Sequence, residues 1–298
     1  MAQSGKTIKR RIRSIGGTRK ITKAMELVSA SKMRRAVSSV LSTRPYARLA
    51  LETIQGVTSR VDRATHPLLI ENAEAKKTLL IVIGSDKGFA GAFNTNLMKA
   101  VKKTLEEIPE EVDAVGIGRR ATQALKKSRA NLIASFENLT NKPTYKDIDP
   151  IGTLVISEFS KGAYKRVLVA YVDFASAISQ RPIVLTLLPF GLAKNDLGEV
   201  NGEAPVKNEA ATSKESTFEP SPERVLDRVL PNLVRMTLYQ SLLETAASEH
   251  SSRMMAMRNA SDAAQEMLGD LTFTYNQIRQ ASITQEIAEI SNGAAALK

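Results

Sequence analysis

The chain has 298 residues, with 42 Lys and Arg against 31 Asp and Glu, a formal net charge of +11, and neither cysteine nor tryptophan. Without cysteine, disulfides, zinc-thiolate sites and thiol catalysis are excluded. Few aromatics in an Ala-, Ser- and Met-rich chain argue for long helices over an all-β core.

The excess charge is local. Residues 1–63 carry 15 Lys and Arg and three acids (Glu26, Glu52, Asp62), whereas the rest carries 27 basic and 28 acidic groups. One basic segment implies a local acidic partner, not a generally cationic protein.

In chain order, residues 3–60 read as one long helix. Ile8, Ile12 and Ile15 step by four and three, as do Ile21, Met25 and Val28; Met33, Val37 and Val40 continue the pattern. Gly16-Gly17 and Pro45 are the places where it is expected to bend. The first 25 residues are rich in Arg and Lys and nearly free of acids, like a mitochondrial transit peptide.

Residues 78–190 alternate strand and helix. LLIVIGSDKG (79–88) reads as a strand ending in a turn, and Thr95 to Ile108 as a helix. VDAVGIG (112–118), RRATQALKK (119–127), NLIASFEN (131–138) and Asp147 to Ala163 continue as strand, helix, strand, helix. RVLVAYVDF (166–174) and PIVLTLLPF (182–190) then read as a hairpin. The order predicts an α/β domain with a mostly parallel sheet. The apolar run Leu79 to Ile83 is far too short to cross a membrane. Residues 194–222 are polar and aperiodic and read as a flexible loop.

Asn232 to Lys298 contains no proline. Ala264, Leu271 and Ile278 form one heptad series, and Met267, Thr274, Ala281 and Ala288 a companion. A helix of this length is on the order of 100 Å long and must pack on another element. The N-terminal helix is the intrachain candidate, giving an antiparallel coiled coil with the α/β domain inserted between its arms.

Residue patterns for chemistry are sparse. GKT at 5–7 lacks the upstream glycine and strand of a phosphate-binding loop. SDKGFAGAFN (85–94) has the placement of a phosphate cradle and equally of a tight βα turn. GIGRR (116–120) lacks the third glycine of a dinucleotide fingerprint. His66 and His250 are the only histidines, without metal-ligand spacing, and read as surface residues. The basic arm has no aromatic before Tyr46 for stacking on bases, and no Trp or Phe to anchor it in a membrane.

Four stretches resemble the gamma subunit of F-type ATP synthases: ITKAMELVSASKMRRA (21–36), SDKGFAGAFN (85–94), SEHSSRMMAMRNASDAA (248–264) and RQASITQEIAEISNGAAA (279–296). In the last, Thr284, Glu286, Glu289, Gly293 and Ala294 match the family signature. The resemblance runs from about Ile8 to the C-terminus and reads as bacterial in type. It places the N-terminus in the shaft and not in a removed leader. It implies a central rotor stalk: α/β plus long helices, an antiparallel coiled coil of N- and C-terminal helices with an inserted Rossmann-like α/β domain. The expected parts are a shaft helix over 1–62, the domain over 70–192, the loop over 193–222 and a second shaft helix over 223–298.

The resemblance implies as partners the alpha and beta subunits of the hexamer, the epsilon subunit and the membrane c-ring. It implies no nucleic acid, no cofactor and no catalysis by this chain. It places the chain at the cytoplasmic face of a bacterial plasma membrane, attached only through the complex. Ser29, Ala30, Ser31 and Ala36 would let the partner helix approach. Lys20, Lys23, Met25, Lys32, Arg34 and Arg35 would face the beta subunits, joined by Arg253 of the coupling region and by Arg279, Gln280 and Thr284. Ala294, Ala295, Ala296 and Leu297 would form an apolar bearing tip. It also favours a packing turn at 85–94, where Phe89 and Ala90 replace a Leu and a Cys common in relatives. Two other readings stand beside it: a nucleic-acid-binding protein using the basic helix, and a nucleotide-dependent α/β enzyme with helical extensions.

Overall fold

A computed structural model describes residues 5–58, 66–190 and 222–296. The chain divides into two compact units, residues 1–29 with 254–298 and residues 30–253. Two helices run through both: α1 (Gly5–Thr58) and α5 (Pro222–Ala296). Helix continues through Gly16-Gly17 and Pro45 of α1 and through Pro231 of α5. The expected flexible loop lies outside the described residues apart from Pro222, which opens α5.

The larger unit is built on five strands in the order β3-β2-β1-β4-β5. They are β1 (Lys77–Ile83), β2 (Glu111–Ile117), β3 (Asn131–Phe136), β4 (Arg166–Phe174) and β5 (Gln180–Leu188). β1 to β4 are parallel, and β5 closes as an antiparallel hairpin on β4. The crossovers carry α2 (Phe93–Glu107), α3 (Arg119–Leu125) and α4 (Asp149–Ser160).

Both sheet faces are covered, which is why β1 reads as an unbroken apolar run. Leu79, Ile81 and Ile83 point into a cluster with Ile151, Val155 and Phe159 of α4 and Leu226, Leu230, Leu233 and Leu238 of α5. Leu80 and Val82 point the other way, onto Phe93, Leu97, Val101 and Leu105 of α2 and Ala121 and Leu125 of α3. The edge strand β3 instead alternates exposed and half-buried positions. Gly152 lets α4 meet α5 closely, for a Cβ there would stand 2.6 Å from Arg235 Cγ.

In the same unit α1 lies against α5 in antiparallel sense. Thr43 Oγ1 donates to Gln240 Oε1 at 2.6 Å, while Lys32, earlier in α1, lies near Glu249, later in α5. Ala36 and Val40 pack with Leu243, Ala247 and Phe174 of β4.

In the smaller unit Gly5 faces Tyr275 and Ile278. The seam differs from expectation in two places. On α1, Ile21 and Val28 are exposed, at 63% and 55%, and Thr22 and Ser29 are buried instead. On α5 the series Ala264, Leu271, Ile278 does turn inward, but its companion is Ser261, Leu268 and Tyr275. Of the expected companions Thr274 is half-buried, whereas Met267, Ala281 and Ala288 are exposed.

Candidate functional site

From Gln240 to Ser251 every residue of α5 is buried, polar residues included. This stretch lies between α1 and the sheet. Its side chains take over backbone groups that the sheet leaves open. β1 pairs with β4 only as far as Val82 opposite Ala170. Beyond that point the Val172 N–H donates to Thr245 Oγ1 at 3.3 Å, and Ser248 Oγ donates to the Val172 carbonyl at 3.2 Å. Ser251 Oγ donates to the Ala177 carbonyl at 2.6 Å and Ser252 Oγ to Gln180 Oε1 at 3.0 Å, holding the β4–β5 turn. Hydroxyls thus act as a substitute strand edge, meeting the requirement that buried backbone groups be paired.

Arg253 ends this stretch. It is 7% exposed and engaged within the chain. It donates to Glu249 Oε1 at 2.8 Å and to the carbonyls of Lys87 and Gly88 at 3.1 Å each. The 85–94 segment therefore turns carbonyls, not N–H groups, toward α5. Its own side chains close the rest: Ser85 Oγ donates to the Lys87 carbonyl at 2.8 Å, and Asp86 Oδ1 accepts from the Arg119 N–H at 3.2 Å. That last contact supplies the negative partner for the N-terminus of α3. Phe89, at φ 61°, projects from the turn and is 73% exposed.

Both histidines are buried, contrary to the surface reading. His66 Nδ1 accepts from the Leu68 N–H at 3.1 Å and Nε2 lies 3.3 Å from Asp227, so its ring caps a short helical turn and reaches α5. His250 lies beside Arg253, 3.4 Å from its Nη1. Burial, and then the charges of Arg253, Lys32, Arg35 and Lys87, push its imidazole down to about 3, which keeps it neutral. Lys32 itself is held below the usual lysine range by burial and by Lys87 and Arg253, and its Nζ donates to Asn141 Oδ1 at 2.5 Å.

The other expected contact residues lie on open surface. Lys20, Lys23, Arg34, Arg35, Arg279, Gln280 and Thr284 are exposed, and Met25 is half-buried. Lys23 pairs with Glu26 at 2.9 Å, one turn along. Ile283, Ile287 and Ile290 are also exposed and recur at helical spacing. The side chains of Ala294 to Ala296 and all of Leu297 lie outside the described residues. Among the described residues, no cluster of three or more His, Cys, Asp or Glu is placed to hold a metal ion, and no helix is long and apolar enough to cross a membrane.

Within the larger unit, α5 lies antiparallel to α1 and is fastened to the sheet by buried hydroxyls and an arginine. A family model described as ATP synthase matches residues 4–297. A gamma chain of ATP synthase from Roseiflexus castenholzii is 41% identical over 99% of this chain and 98% of its own length. That of Symbiobacterium thermophilum is 37% identical over the whole of both chains. Among solved structures, a central-stalk chain of the Tetrahymena thermophila mitochondrial ATP synthase is 25% identical, with a TM-score of 0.58 over 81% of this chain and 99% of that one. A chain of the Euglena gracilis mitochondrial enzyme shares the fold, with a TM-score of 0.64 over 98% of this chain and 94% of that one. The chain belongs to the family of F-type ATP synthase gamma subunits, the chains of the central stalk.

Proposed function

We propose that this chain is the turning shaft of its synthase and carries torque between a membrane ring of c subunits and a catalytic hexamer of alpha and beta subunits. An epsilon subunit would be its further partner, at the α/β unit. The chain itself would bind no nucleotide and catalyse nothing. It would sit at the cytoplasmic face of a bacterial membrane, held there only through the complex.

The observation that carries this reading is the surface left free by the helix seam. Ile21 and Val28 on α1 stay exposed although the smaller Thr22 and Ser29 beside them are buried, and Ile283, Ile287 and Ile290 lie on a stretch of α5, residues 281–292, that is exposed all round. Exposed apolar stripes of this kind mark a protein partner. The cations Lys20, Lys23, Arg34 and Arg35 supply a complementary field for acidic loops, and Arg279, Gln280 and Thr284 add polar contacts near the apolar stripe. Apolar contacts are non-directional, so the isoleucines and the tip at 294–297 suit a bearing. Arg253 would act by fixing the 87–88 turn, not by touching a partner.

A shaft lacking threefold symmetry meets three equivalent sites differently, and differential contact is what shifts binding equilibria. Rotation then passes each state from site to site. Co-expression with the alpha and beta subunits of the same genome tests this. One copy per hexamer, with steady ATP hydrolysis that requires the chain and none by the chain alone, is the expected result. A chain that elutes alone and leaves hexamer activity unchanged would overturn it.

A further inference from the structure

The buried stretch of α5 contains an ionisable group that none of the contacts above explains. Glu244 is 0% exposed, at the junction of α5, α1 and β4. From its own helix, Gln240 Nε2 donates to Oε1 at 2.8 Å. From α1, Arg44 Nη2 comes within 3.7 Å of the same oxygen, too far for a hydrogen bond. The buried Nε and Nη2 of Arg44 make no hydrogen bond among the described residues. From β4 come the phenol of Tyr171 and the carboxyl of Asp173, which is 7% exposed and stands beside Glu244.

Glu244 Oε2 and Asp173 Oδ1 are both buried, and no donor among the described residues reaches either. Ionised carboxylates only accept, so two of them face to face cannot satisfy one another. One arginine offsets one negative charge and leaves the second buried. A single proton answers both problems: it bonds the two carboxyl groups and leaves one positive and one negative charge.

We propose that Glu244 and Asp173 together bind one proton, and that this proton closes the joint between α5 and β4. Burial first, and then the Asp173 charge and hydrogen bond, hold the Glu244 carboxyl well above the usual range, at about 8, against the pull of Gln240 and Arg44. The proton belongs to the pair, not to either residue. Its loss sets two like charges across the α5–β4 contact and leaves the unbonded Arg44 nitrogens as the nearest relief. The alkaline form therefore strengthens the contact of α5 with α1 and weakens that with the sheet.

The test is a carboxyl titration of the full-length chain with carbon-13 in its glutamate carboxyl groups. Exposed glutamates ionise near about pH 4.3. One further resonance is expected to remain in the acid form at neutral pH, to vanish in Glu244→Gln and to move in Asp173→Asn. Among the described residues Glu249 is the other deeply buried glutamate, also held high by its burial. Glu249→Gln must leave the resonance in place, which assigns it even if Glu244→Gln does not fold. No acid-form glutamate at neutral pH, or one that disappears with Glu249→Gln, overturns the proposal.

Stability against pH gives a second readout. The folded pair keeps a proton that the unfolded chain releases above about pH 4.5, so stability falls as pH rises from there to about 8. Histidine ionisation in the unfolded chain is centred near about pH 6.5 and acts alike in both proteins, so the comparison between them cancels it. Between 6.5 and 8 the loss in melting temperature is therefore expected to be smaller in Glu244→Gln than in the unmodified chain. Equal slopes would count against the shared proton.

Discussion

At Gly118 the backbone has φ +89°, and a Cβ would stand 2.5 Å from the Gly84 carbonyl oxygen. Gly118→Ala meets both penalties at once, left-handed strain and backbone overlap, and should cost about 2 kcal/mol or more. Urea unfolding of the full chain measures it. Arg253 is a different case, because what it leaves behind matters more than what it contributes. Arg253→Ala strands Glu249 in a buried site and is expected to cost about 3–5 kcal/mol, most of it recovered when Glu249 is replaced as well. If the single and double variants unfold at the same urea concentration, the pair is not what holds the 87–88 turn. His250 sets the acid limit. Its folded imidazole binds a proton only near pH 3, whereas the unfolded one does so near 6.5, so its share of stability is lost as pH falls below 6.5. His250→Gln should flatten the fall in melting temperature between pH 6.5 and 5.

The elements were legible where a single period governed them. The unbroken apolar run of β1 comes from two covered faces, and the four-residue step Phe93, Leu97, Val101, Leu105 in α2 from one. The joint was not legible, for a physical reason. From Gln240 to Ser251 the helix is covered on all sides, so no face repeats. Its Ser, Thr, Glu and His look like a solvated surface until β4 and α1 are placed around them. The seam is half legible: Leu271 and Ile278 turn inward as their heptad series predicts, but the apolar Ile21 and Met267 are exposed while Ser29 and Ser261 are buried. Leu268→Ala should therefore lower the melting temperature more than Met267→Ala, although both remove a large apolar side chain. Equal effects would return the seam to its sequence-based register. Removing both hydroxyls that serve Val172, by Thr245→Val with Ser248→Ala, should cost about 1–3 kcal/mol and open the end of β4 to hydrogen exchange.

For the molecule as a whole, the family resemblance and the free surfaces point the same way. The basic residues of α1 and the exposed isoleucines of α5 lie on the long helices and not on the sheet. Removing the isoleucine stripe by Ile283, Ile287 and Ile290 to Ser should leave the chain folded, since those side chains are exposed, but weaken its retention in the hexamer. Co-purification at matched concentrations reads this out directly. The most direct test of the shaft itself uses the absence of cysteine. Ile178, 84% exposed on the β4–β5 turn, can be made the only thiol of the chain by Ile178→Cys. A bead attached there, with the alpha–beta hexamer fixed to a surface, is predicted to turn in one direction while ATP is hydrolysed. A bead that only diffuses, while the same hexamers hydrolyse ATP, would contradict the account.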